Sequence, residues 1–345
     1  MVAPDGAPAH HRRMPVPRAL ALPLLLVACA TNPARRGPLP VRNQHPAQLT
    51  VMHLDPAPAS ALRQGSVEVR GTAAYSSLFL SGTGSNGNSF AMDGELLRTS
   101  VQCAVGLGAG FTASAELPFV LTTGGFLDDF LIDYHRFLGL PDQGRDAAPR
   151  NQFNVDATFQ GQPVFAQHAE PLKIADVPLS LAWTAVAPHP GSPGFALRAG
   201  VELPTGNEDR GMGNGSVDTA IGAVAELPLD WGTCFLEAQH SFVGSPHAAD
   251  QAGFSFADVS ALGGGLELPI VDDLSALVQV DWETSTLRNL DIQRASHDQV
   301  LLWMGGRLRL EHDLFLEFSI GEDLANYISP DVTFWFGIAW LPMRR

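Results

Sequence analysis

Between Val67 and Trp340 the chain is built almost wholly of strand-length segments in which apolar and polar residues alternate, and no long apolar helix interrupts them. Successive side chains of a strand point to opposite sides of its sheet, so each such segment has one oily side and one wet side. Leu274, Ala276, Val278, Val280 and Trp282 share a side, with Ser275, Gln279, Asp281 and Glu283 on the other. Val300, Leu302, Met304, Leu308 and Leu310 likewise oppose Arg307, Arg309 and Glu311. Behind an export signal, this pattern predicts an all-β, antiparallel transmembrane β-barrel of the outer membrane of a Gram-negative bacterium.

Composition narrows the partners. Of 345 residues, 36 are Asp or Glu and 21 are Lys or Arg, a formal charge of −15. That balance disfavours nucleic acid, whose phosphates need cationic neutralisation. A hydrophobic share of 45% beside 17% charged residues is too apolar for disorder and suits strands with one face in lipid.

The N-terminus reads as a signal peptide over residues 1–28, in which Arg12, Arg13 and Arg18 precede an apolar core from Ala19 to Ala28 too short to span a bilayer as a helix. Met14, just before that core, is the preferred start. Leu26-Val27-Ala28-Cys29 has the form of a lipobox, which makes Cys29 the lipid-attachment residue of a lipoprotein; ordinary cleavage at Ala28-Cys29-Ala30 is the alternative. Residues 29–65, rich in Pro, Ala and Arg, read as a tether and irregular N-terminal arm, and residues 66–341 as the barrel.

About fourteen strands are expected, at 66–80, 90–106, 110–121, 151–160, 163–169, 175–187, 194–204, 216–228, 232–242, 256–268, 274–284, 298–310, 313–323 and 331–341. The fifth is the weakest, and a twelve-stranded barrel is the main alternative. Short and long connections alternate, as periplasmic turns and external loops do in bacterial barrels, with both chain ends in the periplasm. A soluble sandwich also alternates apolar and polar residues. Mixed charge on the wet side favours a crowded lumen instead, with Glu68, Arg70, Arg98, Arg198, Glu202, Asp281, Glu283, Arg307 and Arg309 facing it. The last strand carries the apolar stripe Val332, Phe334, Phe336, Ile338 and Trp340 that the outer-membrane assembly machinery reads, although the chain runs on to Arg345.

In the longest loop, Phe126, Leu127, Phe130, Leu131, Tyr134, Phe137 and Leu138 recur at helical spacing between glycines, which predicts a short amphipathic helix at the outer mouth. It is either a lid or plug for a hydrophobic solute, or a segment packed on the rim or lying in the membrane interface. Glu116, Glu202, Glu226 and Glu267 each begin a Glu-Leu-Pro that marks a strand end. Cys103 and Cys234 sit in expected strands, and their spacing fits no zinc or redox motif. No catalytic set emerges: His240 and Ser241 point to opposite faces, Ser245 and His247 lie in a loop, and helical spacing separates Asp133 from His135. Neither cofactor nor metal is expected.

Gly37-Pro-Leu-Pro-Val-Arg-Asn-Gln-His-Pro46, Met92-Asp-Gly-Glu95, Gly125-Phe-Leu-Asp128, Gly139-Leu-Pro-Asp142 and Pro149-Arg-Asn-Gln152 together resemble a bacterial family of uncharacterised outer-membrane proteins, over nearly the whole mature chain. The Leu203-Pro-Thr-Gly-Asn207 stretch with Gly213-Asn-Gly-Ser-Val-Asp218 is similar to one strand-loop-strand of barrels described as meta-pathway phenol-degradation transporters. These resemblances imply location and barrel fold, with solute uptake suggested and no catalytic residue to carry over. The expectation is a non-enzymatic barrel in contact with outer-membrane lipid that passes or binds a small, hydrophobic or aromatic solute. A closed structural or surface-interaction barrel is the alternative, and a lipid-acting enzyme the last.

Overall fold

The computed structural model describes residues 36–139, 144–325 and 329–342. Fifteen antiparallel strands form one sheet: β1 (Val67–Thr83), β2 (Ser89–Gly108), β3 (Phe111–Thr123), β4 (Asn154–Phe159), β5 (Gln162–Gln167), β6 (Glu170–Ile174), β7 (Val177–Val186), β8 (Gly194–Leu203), β9 (Asp218–Leu229), β10 (Gly232–Phe242), β11 (Val259–Val271), β12 (Leu274–Glu283), β13 (Gln299–Glu311), β14 (Leu314–Asp323) and β15 (Val332–Trp340). Twelve of them close a ring in the order β1-β2-β3-β7-β8-β9-β10-β11-β12-β13-β14-β15. The seam runs from Val69 opposite Trp340 to Ser77 opposite Val332.

The ring therefore has twelve strands, the alternative, and not fourteen. The segments expected at 151–160 and 163–169 do form strands, but β4 and β5 leave the ring: β4 pairs with the upper end of β2, from Ser89 to Asp93, and β5 pairs with β4. The physical sign is length. At 6 residues each they fall short of the ~9–11 needed to cross a hydrocarbon layer. β6 continues the line of β7 along β3, above a break where Pro118 and Pro178 supply no ladder donor.

Every ring strand presents exposed large apolar residues on its outward parity, among them Val101, Leu197, Ile221, Leu236, Leu262, Val280, Met304, Phe318 and Phe336. Such a continuous belt in water would be an aggregation surface; in hydrocarbon it is the required one. Cys103 and Cys234 sit on this outward side as free thiols. Tight turns join the strands at one end, where β1 begins and β15 ends, and long loops join them at the other. At the long-loop end, Leu80, Phe90 and Met92 pack with Val155 and Phe165 of the β4-β5 hairpin and with Phe254, Phe256, Leu290 and Ile292 of the loops. This apolar cap also encloses Ala47 and Val51, which belong to the N-terminal arm.

Candidate functional site

The interior is occupied by residues 36–62. Five prolines (Pro38, Pro40, Pro46, Pro56 and Pro58) keep this arm out of helix and reduce the number of backbone N–H groups that need partners. It enters at the short-turn end, rises along β11 to β13, turns beneath the long loops through a single 3-10 turn (Gln48–Thr50), and descends along β10, β9, β8 and β3.

Wall side chains substitute for a neighbouring strand. Glu267 accepts the N–H groups of Arg36 (3.0 Å) and Gly37 (2.8 Å). Gln279 clasps Leu39 both ways, accepting its N–H at 2.8 Å and donating to its carbonyl at 3.2 Å. On the descending limb Gln239 does the same to Leu54, at 2.7 and 3.0 Å. Asp218 accepts from Met52 N–H, Glu226 from Ala59 N–H, and Thr112 from Leu62 N–H. At the tip, Asn43 and Gln48 both donate to Glu283, at 2.7 and 2.9 Å, and Arg42 closes the turn by donating to the carbonyls of Gln48 and Val51. The limbs meet at Gly37 (φ +89°), where a Cβ would stand 3.0 Å from that of Pro58.

Beneath the arm lies a charge network built on fully buried Arg307, Glu267 and Glu317, with Arg70 partly buried at its edge. Arg307 donates to Glu267 at 2.6 Å and to Glu317 at 2.7 Å, Arg70 donates to Glu317 at 2.7 Å, and Arg307 also reaches the carbonyl of Gly37 at 3.1 Å. The other inward charges expected from the sequence are placed as follows. Arg98 pairs with Glu116 at 2.8 Å, Arg198 lies 3.9 Å from Glu237, Glu68 and Glu202 are buried on the inward parity, and Asp281 faces inward beside Glu283. Arg309 instead pairs with Asp273 at the short-turn rim. The glutamates of the Glu-Leu-Pro repeats all point inward, and two of them, Glu226 and Glu267, hold the arm.

At the tip His45 is buried, and its Nδ1 accepts the N–H groups of Ala47 (3.1 Å) and Gln48 (3.2 Å), which requires a neutral ring. Burial pushes its pKa down to about 3. A released tip returns the ring to its ordinary value near 6.5, so the seated arm loses stability as pH falls below ~6.5 and on toward 3. Protection factors of the amides at residues 47–51 should fall at low pH relative to neutral pH, with a shallower pH dependence in His45→Gln.

The helix of the long loop forms as expected, as α1 (Asp128–Leu138), but it lies outside the ring. Leu127 and Leu131 pack on Tyr75, Val332 and Phe334, which are outward residues of β1 and β15. Phe126 stacks on Tyr75 with ring centroids 5.6 Å apart, while Phe130 and Phe137 are exposed. The side chains of Tyr134 and Leu138 lie outside the described residues. Of the two readings of this helix, its place fits the segment packed on the rim, while the arm occupies the lumen.

Three of the motif segments converge on that rim. Glu95 accepts the N–H groups of Phe126 and Leu127, the first residues of the helical entry. A Cβ on Gly125 would fall 1.8 Å from the Glu95 carboxyl carbon, and one on Gly124 would fall 2.0 Å from the Asn151 carbonyl oxygen. Asp128 accepts from Asn151 N–H at 2.7 Å and pairs with buried Arg145 at 2.5 Å, which also holds Asp331 at 2.6 Å. Glu95→Ala should therefore speed amide exchange across residues 126–131 by ~10-fold or more while leaving conductance unchanged; unaltered protection would contradict this capping.

The glycine-rich loop at 204–217 is held by carboxylates. Asp176 accepts from Gly206 N–H (2.7 Å) and Asn214 N–H (3.3 Å), and a Cβ on Gly213 would strike its carboxylate. No group of three or more metal-ligating side chains occurs among the described residues. Cys29 and loop residues 140–143 lie outside those residues.

The chain matches, over residues 19–340, the family described as "protein of unknown function (DUF3187)", and so belongs to it. No curated protein matches it. Among solved structures it is similar to the COG4313 outer membrane channel of Pseudomonas putida F1, at 10% identity and a TM-score of 0.52, covering 84% of this chain and all (100%) of that one. It is also similar to the NanC porin, at 8% identity and a TM-score of 0.44, covering 80% and 99%. At such identities the likeness concerns the fold, that of outer-membrane barrels.

Proposed function

We propose that this member of the family is an outer-membrane channel for a small solute, held shut by its own N-terminal arm. The observation that carries this reading is how the arm is held. Beside the apolar packing of Leu39, Val41, Leu49, Met52 and Leu54 on the wall, its backbone is held by side-chain hydrogen bonds, each of which water or a passing solute can replace at a net cost of about 1 kcal/mol. The outward apolar belt and the turn-and-loop asymmetry support a membrane setting, and the structural neighbours are channels and porins. Lipid attachment at Cys29, seven residues before Arg36, would fix the arm's entry beside the periplasmic leaflet and completes the proposal.

Liposome swelling tests the reading. Vesicles bearing the intact chain should admit a small neutral sugar slowly, and Gln279→Leu with Gln239→Leu, which removes both clasps on the arm, should admit it several-fold faster. Equal rates would count against an arm-gated pore. A second reading, a closed structural barrel, is favoured by the apolar cap over the long-loop end, and it requires both proteins to be impermeable.

A further inference from the structure

Between the two limbs of the arm and the wall of β1, β2, β3, β7 and β8 lies a partly open cavity of about 130 Å³, close to the ~150 Å³ that holds a benzene ring in an apolar protein core. Pro38 and Pro40 of the rising limb, Pro56 and Pro58 of the falling limb and Leu179 form its apolar lining. The arginines around it are already matched: Arg36 with Asp313 (3.8 Å), Arg70 with Glu317 (2.7 Å) and Arg198 with Glu237 (3.9 Å). Asp55 is not. Its Oδ2 accepts from Gln102 Nε2 at 3.2 Å, whereas its buried Oδ1 has no hydrogen-bond partner among the described residues.

We propose that this cavity binds a small organic solute with an apolar body and a hydrogen-bond-donating, non-anionic head, which donates to the Asp55 carboxylate. Four prolines and Leu179 give an apolar lining, and a carboxylate that receives one side-chain donor is a group that a bound donor stabilises. An anionic head would meet the same carboxylate, and the three arginines that line the cavity already face carboxylates of their own. Because both limbs of the arm form the walls, the solute binds the seated arm. The site deepens the channel reading and rests on it for its place on the path, but its binding can be measured without conduction.

The test is calorimetry on the full-length refolded barrel in micelles with three probes of one size: 2-phenylethylamine, 2-phenylethanol and 3-phenylpropanoate. The amine and the alcohol should bind, with the carboxylate weaker by ~10-fold or more. Asp55→Asn keeps the bond from Gln102 and should weaken the amine by ~10-fold while changing the alcohol much less. Ala104→Trp, which fills the space from the β2 wall without altering charge, should abolish binding of both. Equal or tighter binding of the carboxylate, an Asp55→Asn variant with unchanged amine affinity, or no binding by any probe would overturn the proposal. Loss of the site with arm-dependent permeation intact leaves the channel standing; binding without permeation removes the channel and leaves the site.

Discussion

Deleting residues 37–61 turns a nearly silent barrel into a conducting one, with single-channel conductance raised roughly tenfold or more, whereas deleting residues 126–138 changes it little. Size makes the first half of this expectation. Barrels of about 8 strands are filled by their own side chains and those of about 16 leave an aqueous channel, so a twelve-strand ring has room that something must occupy. Here the occupant is the arm, buried from Gly37 to Met52. Removing it also takes Ala47 and Val51 out of the apolar cap, which loosens the outer closure. Placement makes the second half: α1 packs on outward residues Tyr75, Val332 and Phe334, so its loss exposes the rim and opens no path. Planar-bilayer recordings of the two deletions beside the intact chain decide between them, and a conductance increase from the helix deletion alone would reverse the assignment.

The second large effect concerns Arg307. It is fully buried, with Glu267 and Glu317 at 2.6 and 2.7 Å. Arg307→Met preserves much of the side-chain volume but leaves two buried carboxylates facing each other, with only Arg70 to answer Glu317. Stranding buried charge in this way costs about 3–5 kcal/mol, and the midpoint of urea unfolding should fall accordingly. The triple variant that also carries Glu267→Gln and Glu317→Gln should recover most of that loss, since the penalty comes from uncompensated charge and not from missing volume. A shift below ~1 kcal/mol in Arg307→Met would mean that water reaches the network.

What the chain discloses before folding follows from what alternation can encode. Period two separates inward from outward residues along β12 and β13, so Asp281, Glu283 and Arg307 read as inward from their neighbours alone. The same period cannot tell a ring strand from one that folds over the mouth. Val155 and Ala157 alternate as well as Val278 and Val280, and only the brevity of β4 and β5 distinguishes them. The helix spacing of Phe126 to Phe137 was legible, but not the surface it covers, because that depends on Glu95 and Asn151 closing the loop backward onto the rim. The arm was least legible. Its backbone pairs with side chains far along the chain, such as Glu226, Glu267 and Gln279 at separations of 167, 230 and 240 residues, which leaves no local periodicity. One sign was present: a plain tether has no use for Leu39, Val41, Met52 and Leu54, each of which ends up buried.

A photo-crosslinking amino acid at Val41, in the protein as it sits in intact outer membranes, reports whether the chain's own arm fills its barrel. Val41 packs with Leu277, Leu301 and Trp303 of β12 and β13. Irradiation should yield an intramolecular crosslink to peptides from those two strands. Crosslinks only to other proteins or to lipid, with none to β12 or β13, would place the arm outside the barrel and contradict the account.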